Sequence, residues 1–167
     1  MKTRRIAELS LLTAIALSIF VLETQLPAPL PIPGVKLGLS NIVTVYAVYR
    51  YRAREVALML IARILLGAIF SGRLTALMYS LCGGALCLLG MLALRRAIPE
   101  DNLWFSSVIG AALHNIGQLA VAAALTGTSA VFAYLPILLL SACLSGAFTG
   151  LCAQYAAQRL QSLQSRR

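Results

Sequence analysis

The stretch Gly34-Val35-Lys36-Leu37-Gly38-Leu39-Ser40-Asn41 decides how the 167-residue chain is read. It follows four alternating prolines, Pro27, Pro29, Pro31 and Pro33, and opens an apolar run that begins at Ile42. Alternating prolines fix φ and remove backbone donors, which predicts an extended, polyproline-like course over 27–33. Two glycines then release the chain into a helix with polar residues at its mouth. Outward from this stretch, in both directions, the sequence is mostly long apolar runs. A segment that is neither a plain turn nor a plain span is the first place to look for a binding site.

The runs themselves set the class. Apolar residues make up 60% of the chain and charged residues only 11%, under half of the roughly 25% of a soluble domain. This composition predicts an all-α membrane protein, one integral membrane domain crossing the bilayer six times. The spans are expected at about 6–26, 38–50, 55–71, 74–94, 103–125 and 130–155. The first could pass for a signal peptide, since Lys2, Arg4 and Arg5 precede an apolar core. It is long, however, and no small-x-small cleavage site follows, so it reads as a retained helix. The second is short, which suits a tilted or partly re-entrant helix.

Charge gives the orientation. Alternate loops hold Lys2, Arg4 and Arg5; Arg50, Arg52 and Arg54; Arg95 and Arg96; and Arg159, Arg166 and Arg167. The other side holds only Lys36 and Arg73, with Arg63 inside a span. The positive-inside rule therefore predicts a multi-pass protein of the cell membrane with both termini in the cytoplasm. The net charge of +9 does not imply nucleic acid as a partner, because no continuous basic face is formed. Cys82, Cys87, Cys143 and Cys152 lie in apolar runs without a CxxC or Cys/His pattern and read as buried free thiols.

Three features stand out within the spans. Arg63 is a charge in hydrocarbon, which costs a few kcal/mol on even lenient scales. It either pairs structurally, with Glu23 or with carbonyls of the second span, or it receives an anion in a cavity opening outward. On the fifth span, Ser107, Ala111, His114 and Gln118 share one face by 3–4 spacing, with Asn115 at its border. That face is either hydrogen-bonded structure or the polar lining of a pocket that Lys36, Asn41 and Arg73 complete from the outer side. Such a pocket is net positive and suits an anionic solute or an electron-rich ring. Ser10, Ala14 and Ser18 form a small-xxx-small stripe on the first span, suited to close helix approach. The stripe either packs inside the protein or docks a partner subunit.

The chemistry that is missing is equally informative. No G-x-x-x-x-G-K-[ST] occurs, so ATP is not used by a P-loop route. There is no aspartate-rich repeat for magnesium and diphosphate, and five acidic residues in all argue against a metal site. No catalytic set, cofactor motif or intramembrane carboxylate ladder is evident, so the chain reads as a binder rather than an enzyme.

Pro31-Ile32-Pro33-Gly34-Val35-Lys36-Leu37-Gly38-Leu39-Ser40-Asn41 resembles the P-x-P-G-x-K-L-G-L-[AS]-N segment of the Gx transporter family, also labelled heptaprenyl diphosphate synthase component I. Arg63-Ile64-Leu65-Leu66-Gly67, Ser80-Leu81-Cys82-Gly83-Gly84 and His114-Asn115-Ile116-Gly117-Gln118 match further family segments in the same order. The family is similar to the S components of energy-coupling factor transporters. That resemblance implies a six-helix, S-component-like bundle whose outward pocket binds a vitamin-like solute or a quinone or isoprenoid precursor. It also implies a transmembrane coupling subunit docked on the stripe at Ser10, Ala14 and Ser18, and two cytoplasmic ATPases as the energy source. Arg63 is then the anion contact, His114, Asn115 and Gln118 the lining, and Lys36 and Asn41 the gate side. The enzyme label implies an alternative: a non-catalytic membrane subunit beside a prenyl synthase catalytic subunit in isoprenoid or menaquinone biosynthesis.

Overall fold

The computed structural model describes residues 3–25, 38–72 and 75–164. The proline ladder, Lys36 and Arg73 lie outside the described residues. The described residues form six α-helices: α1 (Thr3–Gln25), α2 (Asn41–Arg50), α3 (Ala53–Ser71), α4 (Thr75–Leu94), α5 (Leu103–Thr126) and α6 (Leu135–Gln164). Short 3₁₀ turns, Glu100–Asn102 and Ser129–Tyr134, lead into α5 and α6. Gly72 and Gly127, both left-handed, end α3 and α5.

The helices fall close to the six expected runs, with three differences. Gly38 adopts φ +69 and residues 39–40 turn, so α2 starts at Asn41 rather than 38. The sixth run opens as a 3₁₀ turn, and its α-helix continues to Gln164. Third, among the described residues only four helical segments are long and apolar enough to cross a membrane: α1, α4, α5 with its 3₁₀ lead, and α6 with its own. At ten residues α2 is about 15 Å long, half of a hydrocarbon core of about 30 Å. α3 has nineteen residues but carries Arg54, Glu55 and Arg63.

Glycines set the packing of the last three helices. A Cβ on Gly83 would lie 2.8 Å from the His114 carbonyl oxygen, and one on Gly117 would lie 2.9 Å from the Gly83 Cα. α4 and α5 therefore touch backbone to backbone. The run Ala142, Gly146 and Gly150 does the same for α6: Cβ atoms at Gly146 and Gly150 would meet the Cα atoms of Val108 and Trp104 at 2.7 and 2.5 Å. Ser107 lies in this contact, hydrogen-bonded to Thr149 Oγ1 at 3.2 Å. It is thus withdrawn from the polar face expected of it.

α2 is the most enclosed element. Val45, Ala47 and Val48 are almost fully buried, and they join Val56, Met59, Met91, Leu103 and Ala153 in one core. The outer surface is the reverse of a water-soluble protein's. Leu58, Phe70, Leu89 and Leu144 are each more than half exposed, which suits lipid. Cys87 alone of the cysteines is fully buried; Cys143 is exposed on that apolar exterior, against expectation. Ser10, Ala14 and Ser18 are exposed as well, so the stripe faces away from the bundle while Leu9 and Ala16 face in.

A polar cluster ties one end together. Arg5 pairs with Glu55 at 3.2 Å, and Glu55 also caps α3 by accepting from the Arg52 N–H at 2.9 Å. Tyr51 donates to Glu8 at 3.3 Å, and the Arg5 guanidinium sits 5.7 Å from the Tyr51 ring. Arg95 donates to the Val48 and Tyr51 carbonyls, neutralising the C-terminus of α2. At this end, which carries Arg5, Arg50, Arg52 and Arg95, burial and the Glu8 carboxylate raise the pKa of Tyr51.

Candidate functional site

The opposite end of the bundle holds a cavity in which polar side chains converge between apolar walls. The end of α1 contributes Phe20 and Glu23, the approach to α2 contributes Gly38, Ser40 and Asn41, and α3 contributes Arg63, Gly67 and Ser71. Ser80 enters from α4, Ala111, His114, Asn115 and Gln118 from α5, and Ser145 from α6. Five of the six expected binding residues therefore meet at one cavity, brought together from three helices. The sixth, Lys36, is outside the described residues.

Arg63 is the chemical centre. It is 8% exposed, and its Nη1 donates to Ser40 Oγ at 2.5 Å. Among the described residues it makes no ion pair and no other hydrogen bond. A guanidinium offers five N–H donors, so most of its donor capacity is left for whatever fills the cavity. Neither structural pairing weighed for it occurs: the partner is the Ser40 hydroxyl, not the Glu23 carboxylate and not a carbonyl of α2. Ser40 holds this role because the turn at 39–40 sets its side chain at the mouth of α2, 4% exposed.

Glycine makes room around the arginine. A Cβ on Gly67, one turn along α3, would meet the Phe20 ring at 3.0 Å, and one on Gly84 would meet Ile64 at 3.1 Å. His114 is placed by α4, since its Cε1 atom lies 3.1 Å from the Cβ position of Gly83. Asn115 is partly structural: its Nδ2 donates to the Leu138 carbonyl at 2.8 Å and so ties α5 to α6.

Five polar lining residues, Glu23, Ser40, Ser71, Ser80 and Ser145, lie outside the expected binding contacts, and two of them, Ser40 and Glu23, join distant segments. Glu23 accepts a hydrogen bond from the Gly38 N–H through Oε1, at 2.5 Å. Both belong to contacts distant in sequence, which local spacing does not reveal. Their only sequence signals are a hydroxyl beside Asn41 and a carboxylate near the end of an apolar run. Such a constellation places a guanidinium, an imidazole, amides and a carboxylate around one cavity, the chemistry to hydrogen-bond a polar solute.

The model of the family described as heptaprenyl diphosphate synthase component I matches residues 12–156, a region that includes every described residue of the cavity. No curated protein and no solved structure gives a significant match.

Proposed function

The chain belongs to the heptaprenyl diphosphate synthase component I family, and from that premise we propose that it is a non-catalytic membrane subunit that binds a small solute bearing an anionic group. The observation that carries this reading is Arg63, a buried guanidinium with one hydroxyl partner at the wall of a polar cavity. Burying a charge costs several kcal/mol unless it is paired, and an entering anion supplies that pairing. His114, Asn115 and Gln118 supply hydrogen bonds, and Lys36 and Asn41 form the gate side. Vitamin-like acids and quinone or isoprenoid precursors fit this chemistry.

In this reading the chain is one membrane domain of six spans with both termini in the cytoplasm. The basic end then faces inward and the cavity opens outward. The solute is taken up as in the S components of energy-coupling factor transporters, with ATP used by partner ATPases. Ser10, Ala14 and Ser18 dock the coupling subunit. The outward exposure of that stripe supports the assignment, because the protein's own helices do not cover it.

A second reading follows from the family's description, which names a synthase component. There the chain is the membrane subunit beside a prenyl synthase catalytic subunit, and the cavity holds part of a precursor. Purification of the tagged protein in mild detergent from its own membranes, with identification of the retained proteins, separates the two. A coupling subunit with paired ATPases establishes uptake. A prenyl synthase without ATPases establishes the second reading and overturns the first.

A further inference from the structure

We propose that the cavity is built for a zwitterionic solute, with Arg63 seating its anionic group and Glu23 seating a cationic N–H donor. This rests on the solute-binding reading above and narrows its substrate class. Glu23 and Arg63 line the same cavity from α1 and α3, yet they are not within ion-pair distance of one another. The two charges therefore do not cancel by direct contact. Each keeps unused capacity. Arg63 spends one donor on Ser40. Glu23 spends Oε1 on the Gly38 N–H, and Oε2 has no hydrogen-bond partner among the described residues.

The backbone holds this arrangement. Gly38 adopts φ +69, a conformation that L side chains rarely take, and this places its N–H on the carboxylate. A purely anionic solute on Arg63 would bring a like charge beside the Glu23 carboxylate, whose described hydrogen-bond partner is the Gly38 N–H alone, between walls that include Phe20, Ile64 and Leu77. A solute carrying both charges pairs both poles and adds no net charge to a low-dielectric site. The free space, about 110 Å³, is small. At about 10–15 Å³ for each water it holds several waters, so the space between the two poles suits a compact charged group.

The experiment is a ruler. Detergent-purified protein is titrated calorimetrically with ω-amino acids from β-alanine to 6-aminohexanoate. Each is set against the carboxylic acid that lacks the amine and the alkylamine that lacks the acid. One chain length should bind more tightly than its matched acid by about tenfold or more, the scale of a charge-assisted hydrogen bond. Glu23→Gln keeps an acceptor for the Gly38 N–H, so it should remove that ratio while leaving the acid bound. Arg63→Lys retains the charge and controls for misfolding; Arg63→Ala should abolish binding of acid and amino acid alike. Equal binding of acid and amino acid to the wild type, lost in Arg63→Ala, overturns the zwitterion and leaves the anion pocket standing. Binding of neither by the wild type overturns both. Preference for the alkylamine also overturns both, since it makes Glu23 the only working pole.

Discussion

Arg63 Nη1 and Ser40 Oγ lie 2.5 Å apart, joining the third turn of α3 to the residue that precedes α2. The bond links two elements 23 positions apart and gives a buried cation its only described hydrogen-bond partner. Ser40→Ala leaves that cation without it and should cost about 1–3 kcal/mol of stability. Unfolding midpoints in detergent check this, with Ser40→Thr expected to restore most of the loss. An unchanged midpoint in Ser40→Ala would mean that the hydroxyl does not support the guanidinium.

Arg63→Ala and His114→Ala should weaken solute binding while leaving membrane insertion intact. Arg63→Lys should rescue only in part, because an ammonium cannot offer the planar fork of a guanidinium to an anion. Binding is read by retention of solute on the purified protein, and insertion by membrane fractionation. Wild-type retention in both alanine variants would sink the site assignment.

Two glycines test packing against backbone strain. Gly83→Ala would push a Cβ to 2.8 Å from the His114 carbonyl oxygen, where no side chain can yield, and should destabilise by about 1–3 kcal/mol. Gly127→Ala meets nothing within 4 Å, but the residue sits at φ +67, so its cost should be about 1 kcal/mol, from conformation alone. Thermal unfolding of both variants gives the order. Only Gly83→Ala should also disturb solute binding, because it moves the helix that carries His114.

Much of this was legible in the sequence. The six runs, the small-residue stripes and the polar steps Arg63, His114, Asn115 and Gln118 are local signals, and the structure brings those four side chains to one cavity. What was not legible was direction. In a helix that is apolar all round, hydropathy does not tell which face turns inward. Spacing alone therefore puts Ser107 on the polar face, although it packs on Thr149. Ser40 is invisible as a contact, and Glu23 is legible only as a candidate partner of Arg63, for a different reason. Their roles depend on a turn at 38–40 that brings distant segments together, and spacing within one helix carries no trace of it.

Tyr51 gives a pH-dependent test outside the spans. Its hydroxyl is held protonated first by burial and then by the neighbouring Glu8 carboxylate, so its pKa lies above the usual 10.0. The folded state thus favours the neutral phenol. Its contribution to stability is fully present below about pH 10 and is lost as pH rises through the folded pKa. A spectrophotometric titration should show a phenolate component above the usual tyrosine range that vanishes in Tyr51→Phe and moves down in Glu8→Gln. A Glu8→Gln titration identical to wild type would remove the carboxylate as a cause.

Ala14 is the sharpest probe of the proposed docking stripe. It is exposed between Ser10 and Ser18 on the side of α1 opposite Leu9 and Ala16, so a larger side chain there meets no atom of the bundle's core. Ala14→Leu should therefore change stability by no more than about 0.5 kcal/mol and leave solute binding untouched. If a second membrane protein packs closely on this stripe, the added bulk separates the helices and association fails. A photocrosslinker at position 14, in the protein's own membranes, reports the partner directly. Adducts to a transmembrane coupling subunit that disappear in Ser18→Leu would place the docking face here. Adducts confined to lipid, with full complex recovery from Ala14→Leu, would move the docking face to another helix.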